Sequence, residues 1–229
     1  MQLLLLRSSS FRSFLRTTRG PTVTEHDRVL RRSVANEHIL QLFDTPESLS
    51  NVVSAFLHEA WEGGEHLLVI AKPRHWSRTA ERLHRRGCSG SDAIEQGRLT
   101  VLDAGATLST IMRGQFPDPA LFQATIGSLV SRFASRTGGL RIYGELVELL
   151  AEEGNFEGAR QLEALWNNLR HQHSFTMLCG YSAAHFADMR AAAALRTICE
   201  CHTRVQRNSS DLLGSWLLNE ERAEAADVG

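Results

Sequence analysis

The 229 residues carry 25 basic and 26 acidic side chains, a net charge of −1, and are 42% hydrophobic. That balance gives no whole-protein electrostatic case for nucleic acid, supplies apolar material for one ordinary core, and contains no apolar run near the ~18–20 residues that a membrane span needs. Four scattered cysteines (Cys88, Cys179, Cys199, Cys201) do not make a secreted disulfide framework, so a reducing cytoplasm is the expected compartment.

Residues 1–24 hold four arginines, several Ser/Thr and no acid. They read as a disordered arm or as upstream sequence from a misplaced start codon. A targeting peptide and a basic arm touching lipid or RNA are the alternatives. The expected boundaries are an arm over 1–35, one domain over 36–208 and a polar tail over 209–229.

Residues 38–43 alternate and predict a first strand. Asp44 or Thr45 can cap the helix that follows, Pro46 suits its first turn, and Leu49, Val52, Val53, Phe56, Leu57, Ala60 and Trp61 fall on one face. Gly63 and Gly64 end it. Residues 66–71 predict a buried strand, Lys72-Pro73 a tight turn, and 77–86 a helix. In a nucleotide-binding α/β fold this strand-turn-helix is where a phosphate loop is expected, yet no glycine lies between Glu65 and Arg86, and G-x-x-x-x-G-K-[ST] is absent from the chain. Lys72 is the only lysine, against 24 arginines.

A polar segment over 89–96 leads to a strand at 99–104 and a helix near 108–112. Pro117 and Pro119 open a longer helix with Phe122, Ile126, Leu129, Val130 and Phe133 on one face. A strand at 140–145, helices at 146–153 and 156–170, a strand at 174–181 and a final helix from 183 to about 205 complete the pattern. Strands alternating with helices predict a three-layer α/β fold, a mainly parallel sheet with helices on both faces. Ligands in such sheets bind at the carboxyl edge.

The order of "GGEHLLVI", "GRLTVLDA", "GGLRIYGELVELLAEEGNFEGARQLEALWNNL", "FTMLCGYS" and "ICECHTRV" resembles the MEDS domain, the sensory domain named from methanogens, methylotrophs and a dichloromethane-responsive regulator. The resemblance covers residues 38–205. It implies a RecA-like core, related to clock-type ATPases, with degenerate nucleotide machinery. It also implies a sensory role with hydrocarbon derivatives as proposed ligands, often beside a histidine kinase or a DNA-binding module. The last strand departs from the family pattern, ending Cys-Gly-Tyr-Ser where that pattern runs Cys-Gln-Tyr-Asp.

The strand ends are expected to gather Lys72, Arg74, His75, Asp103, Gly144, Glu145 and Tyr181, with His185 nearby. Lys72 and Arg74 can hold an anion, and Glu145 or Asp103 a cation or a proton. The competing reading makes them solvated loop residues, with Glu145 capping its helix. Glu65 is expected to pair with an arginine from a neighbouring strand, such as Arg98. Glu163 sits where the family places a glutamate. Cys199-Glu-Cys201-His202 has metal-type residues, but positions two apart on a helix diverge and no second ligand pair is evident. No metal or cofactor is expected.

The reading that results is a non-catalytic sensory or regulatory domain binding a small apolar or anionic ligand, or a signalling partner such as a histidine kinase or transcription regulator. No membrane or direct nucleic-acid contact is expected. A divergent nucleotide-binding protein or ATPase and a protein-interaction scaffold are the rivals.

Overall fold

A computed structural model describes residues 36–134 and 138–207. The calls on the arm and on the polar tail lie outside them. Six strands form one sheet: β1 (His38–Phe43), β2 (His66–Ala71), β3 (Leu99–Asp103), β6 (Leu140–Gly144), β7 (Thr176–Ser182) and β8 (Arg204–Arg207), in the order β3-β2-β6-β7-β1-β8. Every pairing in it is parallel. A two-residue hairpin, β4 (Met112–Arg113) with β5 (Phe116–Pro117), stands apart.

The connections sort the helices onto two faces. From β1 the chain moves towards the β3 edge through α1 (Pro46–Glu62), then α2 (Pro73–Arg85) and α3 (Gly90–Glu95). Right-handed crossovers place these on one face. There Leu49, Val53, Phe56, Leu57 and Leu83 pack against Ile39, Leu67, Val69, Leu99, Tyr143 and Leu178. From β3 the chain reverses, so α4 (Ala104–Ile111), α5 (Pro119–Phe122), a π turn (Gln123–Gly127), α6 (Ser128–Ala134), α7 (Leu146–Glu152), α8 (Phe156–Gln172) and α9 (Met189–Glu200) cover the other face. The result is the three-layer α/β fold expected from the sequence.

Local chemistry explains most of the boundaries. Thr45 caps α1, its side chain accepting from the Ser48 N–H while Ser48 reaches back to the Thr45 N–H. Gly138 has φ +110, and a Cβ there would stand 2.5 Å from the Gly64 carbonyl, so the α6–β6 turn requires glycine. Glu65 pairs with Arg141 of β6 rather than Arg98. Arg141 donates through Nε at 3.2 Å and Nη2 at 2.5 Å, a two-pronged contact, while Arg98 lies over the Trp61 ring and bonds its carbonyl.

Three expectations are corrected. Helix α2 starts at Pro73, not at residue 77, because the proline suits a first turn directly after the strand. The polar segment at 89–96 contains α3, capped by Ser89. The last expected helix is broken: a 3₁₀ turn (Ala183–Phe186) precedes α9, which is capped by Asp188 and stops at Glu200, and the chain then enters β8 along β1.

Candidate functional site

Strands β2 and β6 are neighbours whose outgoing connections run to opposite faces, so their carboxyl ends part and form a crevice. Four elements fill that crevice with polar groups. Glu145 follows β6 at the N-cap position of α7 but makes no cap bond. Its carboxylate turns back across the sheet edge. Oε2 accepts the Lys72 backbone N–H at 2.9 Å and lies 3.0 Å from His75 Nδ1, while Oε1 accepts the Tyr143 hydroxyl. Glu145 is fully buried.

A second buried carboxylate extends the network. Glu148 Oε2 accepts the Ser182 N–H at 2.8 Å, and Oε1 lies 3.0 Å from His185 Nε2. Lys72 Nζ is 3.6 Å from Glu148 and donates to Glu152 Oε2 at 2.7 Å. Burial pushes the Glu148 acid above its ordinary range, against the opposing pull of the Ser182 N–H, His185 and Lys72. The Lys72 hydrogen bond holds Glu152 below its ordinary range. Burial, and then the neighbouring Glu145 charge, push Tyr143 well above ordinary, so its hydroxyl remains a donor. Glu145, Glu148 and Glu152 recur at helical spacing, which puts three acids over one strand edge.

A family profile described as the MEthanogen/methylotroph, DcmR Sensory domain (MEDS) matches residues 37–203. The chain belongs to the MEDS family. An uncharacterized protein from Pyrococcus horikoshii, solved in complex with an unknown peptide, has a TM-score of 0.61 at 13% identity, covering 82% of this chain and 83% of that one. A KaiC-like protein from P. horikoshii OT3 has a TM-score of 0.46 at 12% identity, over 65% of this chain and 62% of that one. The first likeness is one of fold. No curated protein matches the sequence.

In this MEDS domain the residues expected at the strand ends divide into groups. Lys72, His75 and Glu145 meet in the network, with His185 one step away on Glu148. Gly144 lies beneath it, opposite Ile70 and Cys179, where a Cβ would come 2.9 Å from Met177 Cε. Arg74 is exposed on α2 and forms no hydrogen bond or ion pair with the described residues. Asp103 caps α4 through the Ala106 N–H at 2.7 Å, at the far edge strand. Tyr181 is fully buried but faces away from the crevice, donating to Glu163 Oε1 at 2.7 Å. Tyr143, Glu148, Glu152 and Ser182 are participants that the sequence reading did not name.

The β2–α2 connection is one residue, Lys72, whose carbonyl already accepts the His75 and Trp76 N–H groups. At the other crevice, between β1 and β7, the first-turn Ser48 N–H is taken by Thr45. Neither connection is a glycine loop of the kind that wraps phosphate. A cavity of about 390 Å³ lies elsewhere, beside β3 and Phe133. Its lining contains none of the network residues.

Proposed function

We propose that this MEDS domain senses by exchange at the carboxyl edge of β2, β6 and β7: an incoming small ligand or signalling partner displaces Lys72 from Glu152 and Glu148 and contacts His75 and His185. The observation that carries this reading is Glu145. A fully buried carboxylate, placed where it could cap a helix, instead ties two strand ends and α2 together at a topological switch point. Buried charges with specific partners in a crevice cluster at functional sites. The output would pass to a separate partner such as a histidine kinase or a transcription regulator, in keeping with a family of sensory domains.

A thermal-shift titration of the full chain tests this, with small apolar compounds, small carboxylic acids and MgATP as separate arms. A compound binding only the folded state at 100 times its Kd adds roughly 2.7 kcal/mol. A dose-dependent rise with an apolar or anionic compound that vanishes in Lys72→Ala supports the reading. A rise that survives both Lys72→Ala and Glu148→Gln places binding elsewhere and refutes it. A response to MgATP alone would favour a nucleotide-binding protein instead.

A further inference from the structure

Beneath the opposite face of β1 and β7 lies a second polar cluster that the edge network does not touch. His38 opens β1, Cys179 sits in the middle of β7, Glu163 projects from α8, and His202 follows α9 in the turn before β8. Their side chains are almost fully buried: His38 at 1%, and Glu163, Cys179 and His202 at 0%. One ligand atom from each lies within 4.8 Å of the others. His38 Nε2 is 3.2 Å from Glu163 Oε2 and 3.3 Å from Cys179 Sγ. His202 Nε2 is 3.2 Å from Glu163 Oε1, and Cys179 Sγ is 3.8 Å from Glu163 Oε2. Ligand atoms around tetrahedral zinc, with bonds of roughly 2.0–2.3 Å, stand about 3.3–3.8 Å apart.

The surrounding groups orient these four as ligands. Asn167 donates from Nδ2 to the Cys201 carbonyl at 2.7 Å, which turns its Oδ1 towards His38 Nδ1 at 3.1 Å. His202 Nδ1 lies 2.8 Å from the Ile198 carbonyl. Both oxygens only accept, so both rings carry hydrogen on Nδ1, and in the neutral ring the Nε2 lone pair faces the cluster. Tyr181 donates to Glu163 Oε1 and fixes the carboxylate. His202 Nε2 is buried and, at 3.2 Å from Glu163 Oε1, makes no hydrogen bond with it or with any other described residue. Lone pairs of two imidazoles converging on a carboxylate repel one another unless something positive stands between them. Two neutral imidazoles, a carboxylate and a thiolate together balance a divalent ion.

We propose that His38, Glu163, Cys179 and His202 bind one divalent transition-metal ion, and that zinc is the ion suited to this nitrogen, sulfur and oxygen set. Four protein donors complete a tetrahedral shell and leave no open position, as in structural zinc sites. The ion fastens the turn between α9 and β8 to the sheet. This inference is independent of the reading at the carboxyl edge.

The test is metal analysis of the full chain, produced in zinc-supplemented medium and freed of any affinity tag. About one zinc per chain is expected. Cys179→Ser and His202→Gln should reduce it to background with unchanged far-ultraviolet circular dichroism, while Cys199→Ser keeps it. Asn167→Ala should weaken zinc affinity about 10–100-fold. Cobalt substitution should give intense tetrahedral visible bands and a thiolate band lost in Cys179→Ser. X-ray absorption on the wild-type chain should show one sulfur among four donors, and it decides the matter even where a variant fails to fold. Less than about 0.1 zinc per chain with no chelator effect on melting would overturn the proposal. So would two sulfur donors, or a thiolate band surviving in Cys179→Ser.

Discussion

Replacing Glu145 separates two roles that its position alone leaves open. Were it only the N-cap of α7, Glu145→Ser would be tolerated, since serine caps at least as well and a lost cap costs about 0.5–2 kcal/mol. In the structure its carboxylate instead serves three donors: the Lys72 N–H, His75 and the Tyr143 hydroxyl. An unsatisfied buried donor costs about 1–3 kcal/mol. The His75 side chain is 14% exposed and the Lys72 N–H bond is only partly buried, so water can reach that side and reduce their share. Tyr143 is 1% exposed and bears its full penalty. Glu145→Ser should therefore destabilise by about 3–4 kcal/mol, which for a domain of this size lowers the melting temperature by roughly 10 °C. Urea unfolding at constant m-value measures it directly. Tyr143→Phe removes the most deeply buried donor, so the double variant should fall short of additivity by about 1–2 kcal/mol. A loss below about 1 kcal/mol, with additive singles, would refute the bridging role and leave only a cap.

Arg141 is 4% exposed and held by Glu65, so Arg141→Met should cost about 2–3 kcal/mol, below the 3–5 of a fully buried pair because Glu65 can regain water. Arg141→Lys should recover little of this loss, since lysine cannot make the two-pronged contact; urea midpoints report both. Trp166, 1% exposed and edge-on to Phe122 at 5.2 Å, should lose about 3–5 kcal/mol on truncation to alanine, read as a drop in melting temperature. Glu148 has a folded-state acidity weakened by burial, so the folded state keeps a proton that the unfolded chain releases. Its contribution to stability declines as pH rises from its ordinary 4.5 through the raised folded value, then levels off. Glu148→Gln should flatten that part of the stability–pH curve, and an unchanged slope would count against the assignment.

The parts of the fold set by local pattern were readable in the sequence. Strands β1 and β2 fall at the expected residues, and Thr45 caps the helix that its spacing predicted. Strand β8 was not readable, because Arg-Val-Gln-Arg carries no apolar alternation and becomes a strand only by lying along β1. Lys72, His75 and Glu145, placed at the strand ends by the alternation of strands and helices, meet one another in the structure. Tyr181 lies apart from them: its side chain shares a face with that of Cys179 and reaches Glu163, while at the strand end it is the Ser182 backbone N–H that meets Glu148. What spacing could not reveal is that His202 meets His38, Glu163 and Cys179 from three separate elements.

The placement of β1 governs how the domain can assemble. It is the first strand of the sheet, yet its neighbours are the last two, β7 and β8. Contacts at its start span 140 and 165 residues, from Asn36 to Thr176 and from His38 to Thr203. During synthesis β1 therefore emerges early and waits, with both hydrogen-bonding edges open, until nearly the whole domain has been made. Such long-range closure slows folding and leaves an unpaired apolar strand exposed to other chains. A chain halted after α8 has neither partner for β1, so nascent-chain length should set a sharp threshold for protease resistance, close to the emergence of β7.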